Sequence, residues 1–319
     1  KPEEKPEEKP EEKPEEKPEE KPAAPSPPQS KMVQMMKRLV IEAHNVMATG
    51  PAGCGKTQDC LTVAKELGLP VYVVASPQMK YELEGYLTAM GLTARTSFID
   101  AFTNGGLMII EEMDASGPDA LIGVNAALAN RVMNIPGMGT VYAHPDFKVV
   151  ATANTCGLGA TEDYNTRNVL DRSTLDRFVT LEYDYDYDIE VAIGGKDLAN
   201  FAMAYRYICK EKGINSLITY RSISAISSLM NMPGKEFGKK GTLLRVARSL
   251  DSGLLHSQVD LDSLKVILKL LPDSIYARGL RAYILNKEKA ARAKKDFYEA
   301  LKVGATPSLP EVDEDEEAS

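Results

Sequence analysis

The segment Gly50–Thr57 (GPAGCGKT) constrains the fold of this chain more than any other stretch. It follows a short apolar run, Val46–Thr49, and precedes a helical pattern over Lys56–Leu67 that ends at Gly68. A glycine-rich turn between a strand and a helix directs several backbone amides at one point, where they can bind phosphate oxygens. The full match to GxxxxGK[ST] in this context predicts a nucleotide-binding loop.

Two residues of this turn have specific expected roles. Lys56 is the predicted cation for the β- and γ-phosphates of a nucleotide, and the Thr57 hydroxyl is a predicted ligand of Mg²⁺. Cys54 is expected to be a tolerated loop residue. The predicted nucleotide contacts in the turn are Gly50, Pro51, Ala52, Gly53, Cys54, Gly55, Lys56 and Thr57.

Strands and helices alternate along the first half of the chain, which predicts an α/β fold with a parallel sheet covered by helices. The predicted strands are Val46–Thr49, Pro70–Ala75 (expected to be buried), Leu107–Ile110, Val149–Ala153 and Val179–Tyr183. The predicted helices between them are Lys56–Leu67, Gln78–Met90, Pro118–Met133 and Thr174–Phe178. Alternating tyrosines and acids over Glu182–Asp188 are expected to form a strand with one wet face.

The second half of the chain has only helical patterns, so a smaller all-helical lid is expected after the α/β core. These patterns cover Lys196–Lys212, Arg221–Met232, Thr242–Leu250, Leu261–Leu271 and Ser274–Lys302. The first residues repeat Lys-Pro-Glu-Glu, which offers nothing to bury. We therefore expect a disordered arm over 1–30, a core over 31–188, a lid with C-terminal helices over 189–305, and an acidic disordered tail over 306–319.

The charge of the chain is concentrated at its ends. Lys1–Pro22 carries −4 and Glu311–Ser319 carries −6, so the middle carries +2 of the total of −8. A near-neutral body disfavours nucleic acid as the partner, because non-specific binding needs clustered positive charge. No apolar run approaches the ~18 to 20 residues that span a bilayer, so no membrane segment is expected. Four cysteines without a CxxC pair favour a reducing, cytoplasmic environment.

Polar residues follow two other apolar strands. Glu111 and Glu112 end the run that begins at Gly105, and Asn154 follows Val149–Ala153. Ligands of α/β sheets bind at the carboxyl ends of the strands. One of the two carboxylates is therefore predicted to hold the water shell of the metal and the other to polarise an attacking water. Asn154 is predicted to orient that water or contact the γ-phosphate. The alternatives are a charged strand end and a turn-forming asparagine.

Together these elements resemble the AAA+ ATPase superfamily, and more closely its MoxR and dynein-related branch, with the NorQ/CbbQ activators and the CobS-like motor subunit of cobalt chelatase. The resemblance covers about residues 45–230. It is carried by SFIDAFTNGGLMIIEEMDASGPDALIGVNAALAN (97–130), YAHPDFKVVATANT (142–155) and RNVLDRSTLDRFVTLEYDYD (167–186).

The resemblance implies further site residues. Arg177, in Asp-Arg-Phe, matches the arginine that reaches into a neighbouring subunit and offsets charge on the γ-phosphate, and Arg167 and Arg172 are weaker candidates. Arg221 lies where a sensor 2 arginine of the lid is expected, although it also fits a solvated arginine at a helix start. Residues 134–147 resemble the hairpin before sensor 1, which faces a pore or partner, and a plain surface hairpin is the alternative.

The resemblance also implies a function: a ring, expected to be a hexamer, that uses ATP and Mg²⁺ to remodel a protein partner, for which a von Willebrand A domain protein is a candidate. The family usually has Asp-Glu where this chain has Glu111-Glu112, and the longer side chain is expected to slow hydrolysis. Two alternatives stay open. One is a chelatase-like motor for metal insertion, and the other is a weakly hydrolysing, nucleotide-gated scaffold.

Overall fold

The computed structural model describes residues 31–161, 164–214, 218–230 and 259–302. The expectations for the arm over 1–30, the helix Thr242–Leu250 and the tail over 306–319 concern residues outside these ranges. No helix within the described residues is long and apolar enough to cross a membrane.

A five-stranded parallel sheet forms the centre of the fold. Its strands, in order across the sheet, are β2 (Val71–Ala75), β5 (Gly106–Glu111), β8 (Phe147–Ala153), β1 (Asn45–Thr49) and β9 (Val179–Glu182). The three middle strands are almost entirely buried, as expected for strands covered on both faces. Because the strands are parallel, this order brings the carboxyl ends of β5, β8 and β1 next to one another.

Alternating side chains of the strands build a core on each face of the sheet. On one face, Val46 and Ala48 pack with helices α1 (Lys31–Ala43) and α2 (Lys56–Leu67). On the other face, Met47 packs in a cluster with three later helices. These helices are α4 (Ser97–Asn104), α5 (Pro118–Gly123) and α6 (Asn125–Asn130).

Helix α4 is not among the helices predicted from the sequence. Thr96 caps it by accepting a hydrogen bond from the Ile99 amide, and Gly105 (φ 83°) ends it. Its Phe98 and Phe102 are fully buried with Phe147 of β8, with ring centroids 5.1 to 6.2 Å apart. This aromatic group is the centre of the second core.

After β9, all regular elements within the described residues are helices, and they share a hydrophobic core of their own. Its helices are α8 (Tyr187–Gly194), α9 (Lys196–Glu211), α10 (Tyr220–Met230), α11 (Leu261–Leu270) and α12 (Ile275–Lys302). Phe201 and Tyr205 of α9 are fully buried in this core. The predicted fold class, a P-loop α/β core followed by a smaller helical part, is confirmed.

The predicted helix Gln78–Met90 is wrong over most of its length. Only α3 (Tyr81–Glu84) is helical, and β3 (Tyr86–Leu87) then pairs with β4 (Thr93–Ala94) in a hairpin. Gly85 adopts φ 70°, and a side chain there would lie 2.5 Å from the Ala94 carbonyl oxygen. The helical spacing of apolar residues therefore reflects two short elements separated by a turn that requires glycine.

The predicted helix Pro118–Met133 is also interrupted. It breaks at Val124 between α5 and α6, and Arg131, in a left-handed conformation (φ 55°), ends α6. The chain then forms a hairpin of β6 (Val132–Ile135) and β7 (Gly139–Tyr142), which overlaps the hairpin expected over 134–147 and begins two residues earlier.

Two strand predictions need correction. Strand β2 is not buried, because it forms an edge of the sheet and leaves Val71 and Val73 exposed. The Glu182–Asp188 run is not a continuous strand, since β9 ends at Glu182 and α8 begins at Tyr187. A short helix, α7 (Arg172–Leu175), precedes β9.

Replacing Phe102 with alanine should lower the free energy of unfolding by about 3 to 5 kcal/mol, because it leaves a cavity among packed aromatic rings. Urea denaturation followed by circular dichroism measures the change. Tyr142→Ala is the control, since this ring is 75% exposed and its loss should cost little. A loss below about 1 kcal/mol for Phe102→Ala would contradict the packing described here.

Candidate active site

The loop between β1 and α2 has a backbone shape that its glycines make possible. Gly50, Gly53 and Gly55 all adopt positive φ, at 147°, 67° and 99°. A side chain at Gly50 would lie 2.3 Å from the Tyr183 carbonyl oxygen, and one at Gly53 would lie 2.7 Å from Thr219. The loop therefore passes too close to its neighbours for any larger residue at these two positions.

Lys56, the first residue of α2, folds back over this loop. Its Nζ donates to the carbonyl oxygens of Gly50 (2.7 Å) and Pro51 (2.8 Å) and to Oδ1 of Asn154 (3.1 Å). Burial lowers the pKa of the Lys56 ammonium, and the nearby Cys54 and Asp114 oppose this shift. The contact with Asn154 joins the loop to the end of β8, because β1 and β8 are neighbours in the sheet.

A cleft of about 1560 Å³ opens above these strand ends. The predicted site residues that line it are Ala52, Gly53, Cys54, Gly55, Lys56, Thr57, Glu111, Glu112, Asn154 and Arg221. Gly50 and Pro51 are not among its lining residues, and their carbonyl oxygens accept hydrogen bonds from Lys56. Burial raises the pKa of the Cys54 thiol, so the sulfur stays protonated at neutral pH.

The two predicted carboxylates occupy different positions at the end of β5. Glu111 is the last residue of the strand and is partly buried. Glu112 follows it in the left-handed conformation (φ 49°, ψ 48°), and its side chain is 53% exposed. Its amide donates to Oγ1 of Thr152 at 3.3 Å, which ties the turn to β8. A non-glycine residue with this backbone conformation is uncommon and often functional.

Asp114 was not singled out by the sequence analysis, and it is fully buried behind this turn. Its Oδ2 accepts hydrogen bonds from the amides of Asn154 (3.0 Å) and Thr155 (2.8 Å) and from Thr155 Oγ1 (3.0 Å). This carboxylate therefore fixes the backbone that carries Asn154. An acid two residues beyond Glu112 is visible in the sequence, but its burial is not.

Arg167 contacts two carboxylates of its own chain. Its Nη1 lies 3.3 Å from Glu112 Oε2, and its Nε lies 3.2 Å from Asp114 Oδ2. The second contact is an ion pair without hydrogen-bond geometry. The Arg167 side chain is 10% exposed, so the guanidinium lies mostly inside the fold.

Arg177 lies away from the cleft of its own chain. Its carbonyl accepts a hydrogen bond from Asn45 at the start of β1, whereas Gly50 follows the end of that strand. Its guanidinium donates to the carbonyl oxygens of Asn125 and Ser173, and the residue lines a separate cavity of about 410 Å³. The five residues of β1 thus separate Arg177 from the loop, a distance of about 15 Å at about 3.3 Å per residue.

Arg172, the other arginine considered from the sequence, lies at the start of α7 and is exposed.

The helical part touches the glycine-rich loop directly. The Tyr220 amide donates to the Gly53 carbonyl at 3.1 Å, and Arg221, the next residue of α10, lines the cleft. The Tyr185 hydroxyl donates to the Ala52 carbonyl at 2.6 Å. Neither tyrosine could be identified from the sequence, because only the tertiary structure brings them to the loop.

Asp114→Ala should lower the free energy of unfolding by about 3 kcal/mol or more, because it leaves buried amides without their acceptor and a buried guanidinium without its ion-pair partner. Thermal and urea denaturation measure this loss. Asp119→Ala on the exposed side of α5 is the matched control and should change stability by about 0.5 kcal/mol. Equal stability of the two variants would show that the Asp114 hydrogen bonds contribute nothing.

Comparison with known proteins shows what this chain is similar to. A model of the AAA domain of the dynein-related subfamily matches residues 45–178. The aerobic cobaltochelatase subunit CobS of a Sinorhizobium species is 27% identical over 165 residues, 44% of this chain and 48% of CobS. Protein NorQ of Paracoccus denitrificans (strain Pd 1222) is 29% identical over 164 residues, 49% of this chain and 58% of NorQ.

The chain thus spans about half the length of these curated relatives. Among solved structures, NtrX from Brucella abortus aligns with 76% of this chain and 52% of its own, at 14% identity and a TM-score of 0.42. The domain match and both relatives agree with the motifs quoted above. Residues 45–178 thus match the AAA domain of the dynein-related subfamily, and the predicted resemblance to MoxR-like AAA+ ATPases is confirmed.

Proposed function

We propose that this chain binds ATP with Mg²⁺ in the cleft above β1, β5 and β8 and hydrolyses the nucleotide. One observation carries the proposal: Lys56 contacts Asn154 at 3.1 Å, and Glu111 and Glu112 line the same cleft. A phosphate-binding cation, an amide and two carboxylates are the groups that nucleotide hydrolysis needs at one place.

The residues present suit Mg²⁺. Thr57 and Glu111 offer a hydroxyl and a carboxylate, and Mg²⁺ prefers oxygen ligands, of which few come from the protein. No group of three His, Cys, Asp or Glu side chains within the described ranges could hold a metal alone. Thr57 and Glu111 would therefore hold the ion together with phosphate and water oxygens. Bound Mg²⁺ supplies positive charge that offsets the charge of the phosphates.

The protein's own groups would act in a defined order. Lys56 exchanges the carbonyl oxygens of Gly50 and Pro51 for phosphate oxygens, since hydrogen bonds between charged groups are stronger than those to neutral acceptors. Asn154 orients the attacking water, and Glu112 accepts a proton from it. Arg221 contacts the nucleotide from the lid. The division between core and lid is proposed to fall near residue 188, between β9 and the body of α8.

Arg177 would complete the site of a neighbouring copy. Its distance from the glycine-rich loop, along the length of β1, prevents it from serving its own cleft. We therefore propose that the chain assembles as a ring, expected to be a hexamer, in which each Arg177 offsets charge on the adjoining γ-phosphate. Such a ring, proposed to be cytoplasmic, would remodel a protein partner, with a von Willebrand A domain protein as the candidate and nucleic acid disfavoured.

A chelatase-like motor is the second candidate function, and the match to CobS favours it. A weakly hydrolysing scaffold is the third, because Glu111 stands where the family usually has aspartate. Steady-state phosphate release separates the scaffold from the two motors. Identifying the protein that co-purifies with a Glu112→Gln variant in the presence of ATP separates the motors from each other.

Lys56→Ala should abolish ATP binding, because the loop loses its cation for the phosphates. Glu112→Gln should still bind ATP, but its turnover should fall at least about 100-fold because the general base is lost. Calorimetry measures binding and a phosphate-release assay measures turnover. Lys65→Ala and Glu42→Gln are matched controls on exposed surfaces and should behave as the unchanged protein. ATP binding by Lys56→Ala, or unchanged turnover in Glu112→Gln, would remove the assigned roles.

Arg177→Ala should keep its affinity for ATP and lose turnover, since the arginine acts on a neighbouring site. Mixing it with Glu112→Gln should restore part of the activity, because some interfaces then combine an intact Glu112 with an intact Arg177. Arg38→Ala, on an exposed face of α1, is the control and should retain full activity. Absence of any rescue in the mixture would argue against sites shared between copies.

A further inference from the structure

A short segment after β8 contacts both the glycine-rich loop and the turn after β5. The Ala52 amide donates to the Tyr164 hydroxyl at 2.9 Å. Three residues later, Arg167 lies with its guanidinium 5.8 Å from the centre of the Tyr164 ring and pairs with Glu112 and Asp114. One segment thus contacts the loop that would bind phosphate and the carboxylate that would activate water.

The position of Arg167 does not depend on Glu112. The next residue, Asn168, donates its amide to the Asp114 carbonyl (2.8 Å) and its side-chain nitrogen to the Ser116 carbonyl (2.9 Å). Arg167 is also held by the buried Asp114 carboxylate and is 10% exposed, whereas Glu112 is 53% exposed. In this pair the arginine is therefore the fixed partner and the glutamate the movable one.

The pair has a geometric consequence for Glu112. Arg167 Nη1 lies 3.3 Å from Glu112 Oε2, so this oxygen of the carboxylate is engaged by the guanidinium instead of by a water. The same contact directs Oε2 towards Arg167. Glu112 must leave this partner before it can serve as a base.

We propose that Arg167 is a positioning residue that holds Glu112 in a resting arrangement within the same chain and so restrains hydrolysis. This inference rests on the proposed ATPase function and concerns its regulation. An ion pair with a half-exposed partner is weak, so binding of nucleotide and a neighbouring copy can break it at little cost. Tyr164 supports the restraint by tying the segment to Ala52 of the loop.

Two other roles for Arg167 make different predictions. If Arg167 reached a neighbouring site, as the weaker interpretation of the sequence has it, its loss would reduce turnover. If it only balanced the charge of Asp114, its loss would lower stability and leave turnover unchanged. A restraint on Glu112 instead predicts faster turnover when the arginine is removed.

The test is steady-state phosphate release by the full chain with Arg167→Gln, Arg167→Lys and the control Arg38→Gln. Arg167→Gln should raise kcat roughly two- to fivefold, the range expected for loss of a weak ion pair, with KM for ATP changed by less than about twofold. Arg167→Lys keeps the charge and should return kcat towards the unchanged protein. Arg38→Gln should leave both constants unchanged. An unchanged or lower kcat in Arg167→Gln would overturn the inference.

Tyr164→Phe provides a second variant that keeps the ring beneath Arg167 and loses the acceptor for the Ala52 amide. It should raise kcat by a smaller factor, and it decides the question if Arg167→Gln does not fold. An unchanged kcat in Tyr164→Phe would then overturn the inference.

Lys56→Ala separates this inference from the proposed function. Equal phosphate release by Lys56→Ala and the unchanged protein would defeat both. If Lys56→Ala is inactive and neither Arg167→Gln nor Tyr164→Phe raises kcat, only the proposed restraint on Glu112 is contradicted.

Discussion

The parallel pairing of β1 with β8 is the constraint on which the site depends. It places the glycine-rich loop after β1 beside the residue that follows β8, so that Lys56 reaches Asn154 at 3.1 Å. The pairing of β8 with β5 then brings Glu111 and Glu112, at the carboxyl end of β5, next to the carboxyl end of β8. Three segments that are distant in sequence form one cleft because their strands are neighbours and run in the same direction.

Asp114 makes this arrangement rigid. One buried carboxylate oxygen accepts hydrogen bonds from two amides and a hydroxyl of the segment after β8, and it also faces Arg167. Because a buried carboxylate is costly unless it is paired, these partners fix the position of each other. Two residues earlier, the half-exposed Glu112 side chain accepts a hydrogen bond from Arg167. A rigid support beneath a movable carboxylate is the arrangement that a switchable site requires.

Sequence patterns predicted those parts of the fold whose signals are local. The glycine-rich loop, α2 and the ends of β5 and β8 follow from positive-φ glycines, helical spacing and apolar runs. The helix predicted over Gln78–Met90 is wrong because its apolar spacing arises from a short helix and a hairpin joined at Gly85. The apolar residues of β2 predicted burial, but strand order across the sheet, which is not local, leaves this strand at an edge.

The sequence by itself determined that a phosphate-binding loop stands between a strand and a helix, since GxxxxGK[ST] requires backbone conformations that glycine alone adopts readily. It also indicated which strand ends carry polar groups. Only the tertiary structure decided that Arg167 pairs with Glu112 and Asp114, that Tyr164 and Tyr185 contact Ala52, and that Arg177 lies at the other end of β1. The physical reason is that these contacts join side chains many residues apart, and packing, not local spacing, sets which of them meet.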